Sequence, residues 1–153
     1  MDASGPAMLE RLAALGWEAA ATQVVPDDQA QIEDCLRRWA DQQALDLVLT
    51  SGGTGFSPRD RTPEATVAVC DRLAPGLAEA MRSAGLAKTP HAMLSRGVCG
   101  IRGRTLIVNL PGSPKAVREG LDVIVPVLPH AIEVLRGDPG AEKGHRPSGR
   151  RRL

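Results

Sequence analysis

Two short glycine-containing stretches carry the most legible chemistry in the sequence. In Ser51-Gly52-Gly53-Thr54-Gly55 the glycines let backbone N–H groups approach an anion without Cβ interference, and Ser51 and Thr54 add hydroxyl donors. In Leu110-Pro111-Gly112-Ser113-Pro114, Ser113 reads as a cap and Pro114 as a first helical residue. The helix they open would turn its N-terminal amides and partial positive charge toward a phosphate. Taken singly, each stretch reads equally well as a turn that needs positive φ; two of them after two strands favour an anion site. Neither is a common nucleotide fingerprint: no lysine follows Gly55, so G-x-x-x-x-G-K-[ST] is absent, and S-G-G-T-G is not G-x-G-x-x-G.

Acidic and basic groups flank these stretches. Arg59-Asp60-Arg61 is either surface decoration or, beside a phosphate cradle, a carboxylate that helps hold Mg²⁺ with arginines screening phosphate charge. Asp27 and Asp28 sit where carboxylates favour a helix start. Asp27 also follows an expected strand, so it can face the same crevice and complete a two-carboxylate magnesium site. Nucleotidyl transfer needs positioning and charge neutralisation more than a covalent nucleophile, and this inventory suits it. Ser95-Arg96-Gly97 reads as a third anion contact or as a simple turn. His91 and His130 have no partners at metal spacing, and Cys35 and Cys70 fall on apolar helical stripes as core residues.

The elements that must position these groups alternate. Apolar spacing predicts a helix over 6–15, with Ser4 as its cap and Gly16 as its stop, then a strand over 18–25 ending at Pro26. A helix to about Gln43 follows, with Ile32, Cys35, Leu36 and Trp39 as its buried stripe. Asp46 to Thr50 is a compact apolar strand of the kind covered on both faces. Thr62-Pro63-Glu64 opens a helix through Val67, Val69 and Leu73, and another spans Pro75 to Leu86. Residues 88–96 read as a loop or short turn, Val98–Ile101 and Thr105–Asn109 as a hairpin-connected pair. A helix from Ser113 to about Ile124, a break at Pro126 and Pro129, and an apolar-striped segment capped by Gly137 complete the order. This pattern predicts an α/β, mostly parallel, doubly wound sheet.

Composition narrows the function classes. With 153 residues, 42% hydrophobic and 24% charged, the chain suits one globular domain over 1–138 and a basic disordered tail over 139–153. Five of the 19 basic residues fall in 141–153, leaving residues 1–140 with 14 basic against 17 acidic, a net of −3. A mildly acidic body with three aromatic residues, Trp17, Trp39 and Phe56, offers no stacking platform, so nucleic acid is set aside as a partner. No apolar run approaches the roughly 20 residues that cross a bilayer, and no secretory signal opens the chain. Three cysteines without zinc spacing predict reduced thiols and a cytoplasmic location.

The runs Leu49 to Thr66, Ala92 to Arg96, Gly100 to Gly103 and Leu106 to Ala116, with Val25-Pro26-Asp27-Asp28, strongly resemble the MoaB/Mog domain family of molybdenum cofactor biosynthesis. The likeness extends from about Ser4 to Gly137. It implies a three-layer α/β fold, usually a homotrimer, that binds molybdopterin and ATP. The implied reaction transfers AMP from Mg-ATP to molybdopterin with release of pyrophosphate, ahead of a molybdenum insertase. Asp27 and Asp60 are similar to the family's essential carboxylates and would organise Mg²⁺. Ser51, Gly52, Gly53, Thr54 and Gly55 match its glycine loop, and Ser95, Pro111, Gly112 and Ser113 its other site loops. The sequence departs from the family in lacking the usual N-terminal apolar strand and the Ser-Asp segment after it, which would expose neighbouring strands. That departure reads either as a start placed too far downstream or as the mark of an alternative, a non-catalytic or truncated molybdopterin-binding protein; a domain of a larger insertase and RNA binding through the tail are further alternatives.

Overall fold

The computed structural model describes residues 3–142. In chain order these form α1 (Ser4–Ala14), α2 (Gln29–Arg37), β1 (Leu47–Ser51), α3 (Thr62–Val69), β2 (Arg72–Leu73), α4 (Pro75–Leu86), β3 (Cys99–Arg102), β4 (Thr105–Leu110), α5 (Pro114–Ile124) and α6 (Leu128–Arg136). A π turn at Arg38–Gln42 extends α2, and 3₁₀ turns lie at Pro90–Leu94 and Val125–Val127. The expected tail from residue 143 onward lies outside the described residues.

The strands form one sheet in the order β1-β4-β3-β2. β1 runs parallel to β4 with Leu47 opposite Leu106 and Ser51 opposite Leu110, whereas β4–β3 and β3–β2 are antiparallel. The α/β reading holds with a mixed sheet, because the expected β3–β4 hairpin is joined by a second antiparallel strand, β2. All six residues of β4 are buried. Its period-two alternation sends Leu106, Val108 and Leu110 into a core with Ala7, Ala78, Val117, Leu121, Ile124 and Leu128, and Ile107 into a second core with Ile32, Leu36, Val48, Ala65 and Val69. Helices α1, α4, α5 and α6 therefore cover one face, and α2 and α3 the other, giving three layers.

The element boundaries correct several expectations. Ser4 is not a cap but a buried residue in the first turn of α1, which Gly16 ends at φ +73°. Residues 70–73 leave the helix expected through Leu73: Cys70 turns extended, and Asp71 and Ala74 donate to the Ile101 and Cys99 carbonyls, tying this stretch to β3. Pro75, at the start of α4, disfavours helical geometry at Ala74 and so separates the two helices.

The largest correction concerns residues 18–25, which form no strand. In a parallel ladder alternate residues bond to the neighbour. Leu106 N–H donates to the Asp46 carbonyl and Gly52 N–H to the Leu110 carbonyl, bracketing β1. Leu47, Leu49 and Ser51 thus turn their backbone groups away from β4, to the open side. There a groove of about 1110 Å³, lined by both β1 and Ala19–Val25, separates the two segments. Lacking a ladder partner, the 18–25 stretch stays irregular.

Candidate functional site

Because β1 and β4 are parallel neighbours in register, the loops that leave their carboxyl ends must emerge side by side. These are the Ser51–Gly55 and Pro111–Ser113 stretches. Ser51 Oγ donates to the Pro111 carbonyl at 2.9 Å, and Gly52 N–H to the Leu110 carbonyl at 3.0 Å. A Cβ on Gly112 would lie 3.5 Å from the Gly52 Cα, so the loops meet backbone to backbone. Gly52 and Gly53 adopt φ +86° and +67°, the left-handed region that side chains rarely enter. A side chain at Gly53 would also strike the Thr62 hydroxyl.

Five backbone N–H groups on these loops, those of Gly53, Thr54, Gly55, Gly112 and Ser113, donate to no acceptor among the described residues. Amides without a protein partner are left to water or a ligand, and such groups on two touching loops have the chemistry to bind an anion. The Ser113 hydroxyl is engaged as the α5 cap, accepting from Ala116 N–H at 3.1 Å, so this loop offers amides and the helix terminus rather than a free hydroxyl. Thr54 is buried.

Asp60 is brought to the far end of the glycine loop. Its Oδ2 accepts from Ser57 N–H at 3.0 Å and sits 3.0 Å from where a Gly55 Cβ would be. Oδ1 has no protein donor among the described residues. Arg59 and Arg61 stand exposed beside it with no ion pair among the described residues, available to an anionic ligand. Asp27, also exposed, borders the groove along β1 together with Ser51, Gly52 and Gly53 of the glycine loop; Asp60 does not line that groove. Asp28 caps α2 by accepting from Gln31 N–H at 2.9 Å, which leaves Asp27 as the unengaged carboxylate. Among the described residues no group of three or more His, Cys, Asp or Glu side chains could hold a metal ion. The donor set suits Mg²⁺ arriving with a nucleotide, which needs one or two carboxylates beside substrate phosphates and water.

Ser95 precedes the residue that ties the site together. Arg82 of α4 donates to the Ser95 and Gly97 carbonyls at 3.3 and 2.7 Å, fixing the strap between them. Ser95 Oγ accepts from Gly97 N–H at 3.4 Å. Arg96 then reaches both the glycine loop and the Asp60 loop, a role that sequence alone did not assign to it. Also unforeseen is Asn109, 2% exposed: Oδ1 accepts from Val98 N–H, and Nδ2 donates to Thr50 Oγ1 and Thr66 Oγ1 at 3.0 and 2.9 Å. It locks the end of β1 to β4 and α3 directly beneath the two loops.

The thiols take no part in this chemistry. All three cysteines are free, and burial pushes Cys70 and Cys99 up to about 11, so both stay protonated at neutral pH.

Glycine-bearing loops at the carboxyl ends of adjacent parallel strands are where α/β domains of this class place their ligand crevice. The chain belongs to the MoaB/Mog family: residues 1–130 match the family model described as a probable molybdopterin binding domain. It is 57% identical to the molybdopterin biosynthesis enzyme MoaB of Thermus thermophilus, covering 91% of this chain and 87% of that structure with a TM-score of 0.85. It is 44% identical to the molybdopterin adenylyltransferase of Helicobacter pylori over 76% of this chain and 66% of that protein. It is 46% identical to the molybdenum cofactor synthesis protein cinnamon of Drosophila melanogaster over 90% of this chain, but spans only 23% of that protein. These relatives support a role in molybdenum cofactor biosynthesis.

Proposed function

We propose that the chain is a molybdopterin adenylyltransferase, transferring AMP from Mg-ATP to molybdopterin. A terminal phosphate oxygen of molybdopterin forms a bond to the α-phosphorus of ATP, the bond from that phosphorus to the bridging oxygen breaks, and pyrophosphate leaves with the bond's electron pair. The observation that carries this reading is the pair of touching loops with five amides unpaired among the described residues, Gly53, Thr54, Gly55, Gly112 and Ser113. Such preorganised donors stabilise phosphate charge without reorganising during the reaction. Arg59 and Arg61 screen further charge, and Asp60 and Asp27 organise the Mg²⁺ that enters with ATP. The relatives named molybdopterin adenylyltransferase support the choice of substrates. Assembly as a homotrimer and delivery of product to a molybdenum insertase, both implied by the family resemblance, belong to the same proposal.

A second reading draws on the open groove beside β1, on which Asp27 stands exposed: a domain that binds molybdopterin without transferring AMP. Incubation with molybdopterin, ATP and Mg²⁺ separates them. Pyrophosphate release in step with adenylylated product supports the transferase, and binding with neither product supports the second reading.

A further inference from the structure

Arg96 makes a set of contacts unlike any other side chain in the described structure. Its backbone N–H donates to the Thr54 carbonyl at 2.7 Å. Its Nε donates to the Gly55 carbonyl at 2.7 Å, and Nη2 to the Asp60 carbonyl at 3.0 Å. Nη1 donates to both Glu64 oxygens at 2.8 and 3.0 Å. One planar guanidinium therefore spans the end of the glycine loop, the backbone of Asp60 and the first turn of α3. Arg96 is itself held in the strap that Arg82 fixes through the Ser95 and Gly97 carbonyls.

The carbonyls of Thr54, Gly55 and Asp60 belong to residues whose amides, for Thr54 and Gly55, and Oδ1, for Asp60, have no protein partner among the described residues. A carbonyl pulled toward Arg96 sets the plane of the peptide that follows it. The main-chain N–H of Arg96, through the Thr54 carbonyl, thereby orients the Gly55 N–H, and Nε, through the Gly55 carbonyl, orients the Phe56 N–H; only the second contact belongs to the guanidinium. The Asp60 carbonyl contact holds the backbone that carries the Asp60 carboxylate, while Ser57 N–H holds the carboxylate itself. Glu64 orients the fork by engaging Nη1 with both of its oxygens. A lysine supplies one compact ammonium, which cannot meet carbonyls on two loops and a carboxylate in a single plane.

We infer that Arg96, oriented by Glu64, is a positioning residue that sets the glycine loop and Asp60 at a fixed distance for the reacting phosphates. The inference rests on the adenylyl-transfer reading for its catalytic consequence, whereas the loop geometry stands apart from it.

The test compares the full chain as wild type, Arg96→Lys and Glu64→Gln in pyrophosphate release, thermal unfolding and amide hydrogen exchange. Arg96→Lys is expected to keep its midpoint within a few degrees of wild type while kcat falls about 10- to 100-fold, the scale of an ångström-level misplacement. The KM values for ATP and molybdopterin should move less than about threefold, a split that general destabilisation does not produce. Glu64→Gln, which keeps one acceptor for the fork, should fall between the two; it carries the same comparison if Arg96→Lys does not fold. Wild-type kcat in both variants, or loss of kcat and binding in proportion to lost stability, overturns the inference. Exchange at residues 53–60 is independent of turnover: faster exchange in the variants supports the positioning role, and unchanged exchange overturns it. A wild-type protein that releases no pyrophosphate contradicts the transfer reading, and the exchange result then decides the loop claim by itself.

Discussion

Asp60 illustrates how much a single residue's role depends on which of its atoms is occupied. With Oδ2 held by Ser57 N–H and Oδ1 unengaged among the described residues, the carboxylate is oriented yet keeps a coordinating oxygen. Asp60→Asn preserves size and can still accept from Ser57, but removes the charge that a metal–phosphate complex would meet. We predict a fall in kcat of about 10²–10³-fold with molybdopterin affinity changed less than about threefold, measured by steady-state kinetics and titration calorimetry. Equal losses of turnover and affinity would contradict the role. The Arg59-Asp60-Arg61 triplet could be singled out from sequence because its residue types carry charge whatever the fold. Arg96 was not, because a guanidinium's value as a clamp depends on carbonyls and a carboxylate that come together only in three dimensions.

Cys99 supplies a second prediction at this scale. Burial raises its thiol to about 11 from an ordinary 9.0, so the folded state retains the proton that the unfolded state releases above pH 9. The stability this represents is fully present below pH 9 and is lost as pH rises toward 11. For a side chain 1% exposed the loss is on the order of 2–3 kcal/mol. Urea denaturation at pH 8, 10 and 11 should show this decline, and Cys99→Ala should show a shallower one.

At the scale of elements, β4 organises the molecule. Its alternation divides two cores, its carboxyl end launches the Pro111–Ser113 loop, and Asn109 near that end bonds to β1, β3's lead-in and α3. Asn109→Ala would leave the Val98 N–H and two hydroxyls without this partner. We expect a loss of about 1–3 kcal/mol per buried group left unsatisfied, partly offset by relaxation, together with weaker anion binding at the loops it supports. Differential scanning calorimetry and ligand titration measure the two effects. Helices with punctuation were readable in the sequence: Gly16, Pro114, Ser113 and Gly137 act as their residue types predict. The strand expected over 18–25 was not, because an apolar stretch becomes a strand only beside an edge that can pair with it, and a groove separates this one from β1. Likewise β2 is too short to leave a periodic signal and exists through its ladder with β3.

For the whole molecule, the arrangement depends on one parallel pairing. Register between β1 and β4 places two glycine-bearing loops against each other, and the proposed anion site draws on amides of both that are unpaired among the described residues. The sequence motifs announced both loops, and the resemblance implied their common ligand; their contact through Gly52 and Gly112 is a property of the sheet. The most direct measurement is a ¹H–¹⁵N titration of the full chain with Mg-ATP. Amide signals of Gly53, Thr54, Gly55, Gly112 and Ser113 should shift together and saturate with one common Kd. Shifts confined to one loop, or two loops saturating at different concentrations, would contradict a shared anion site.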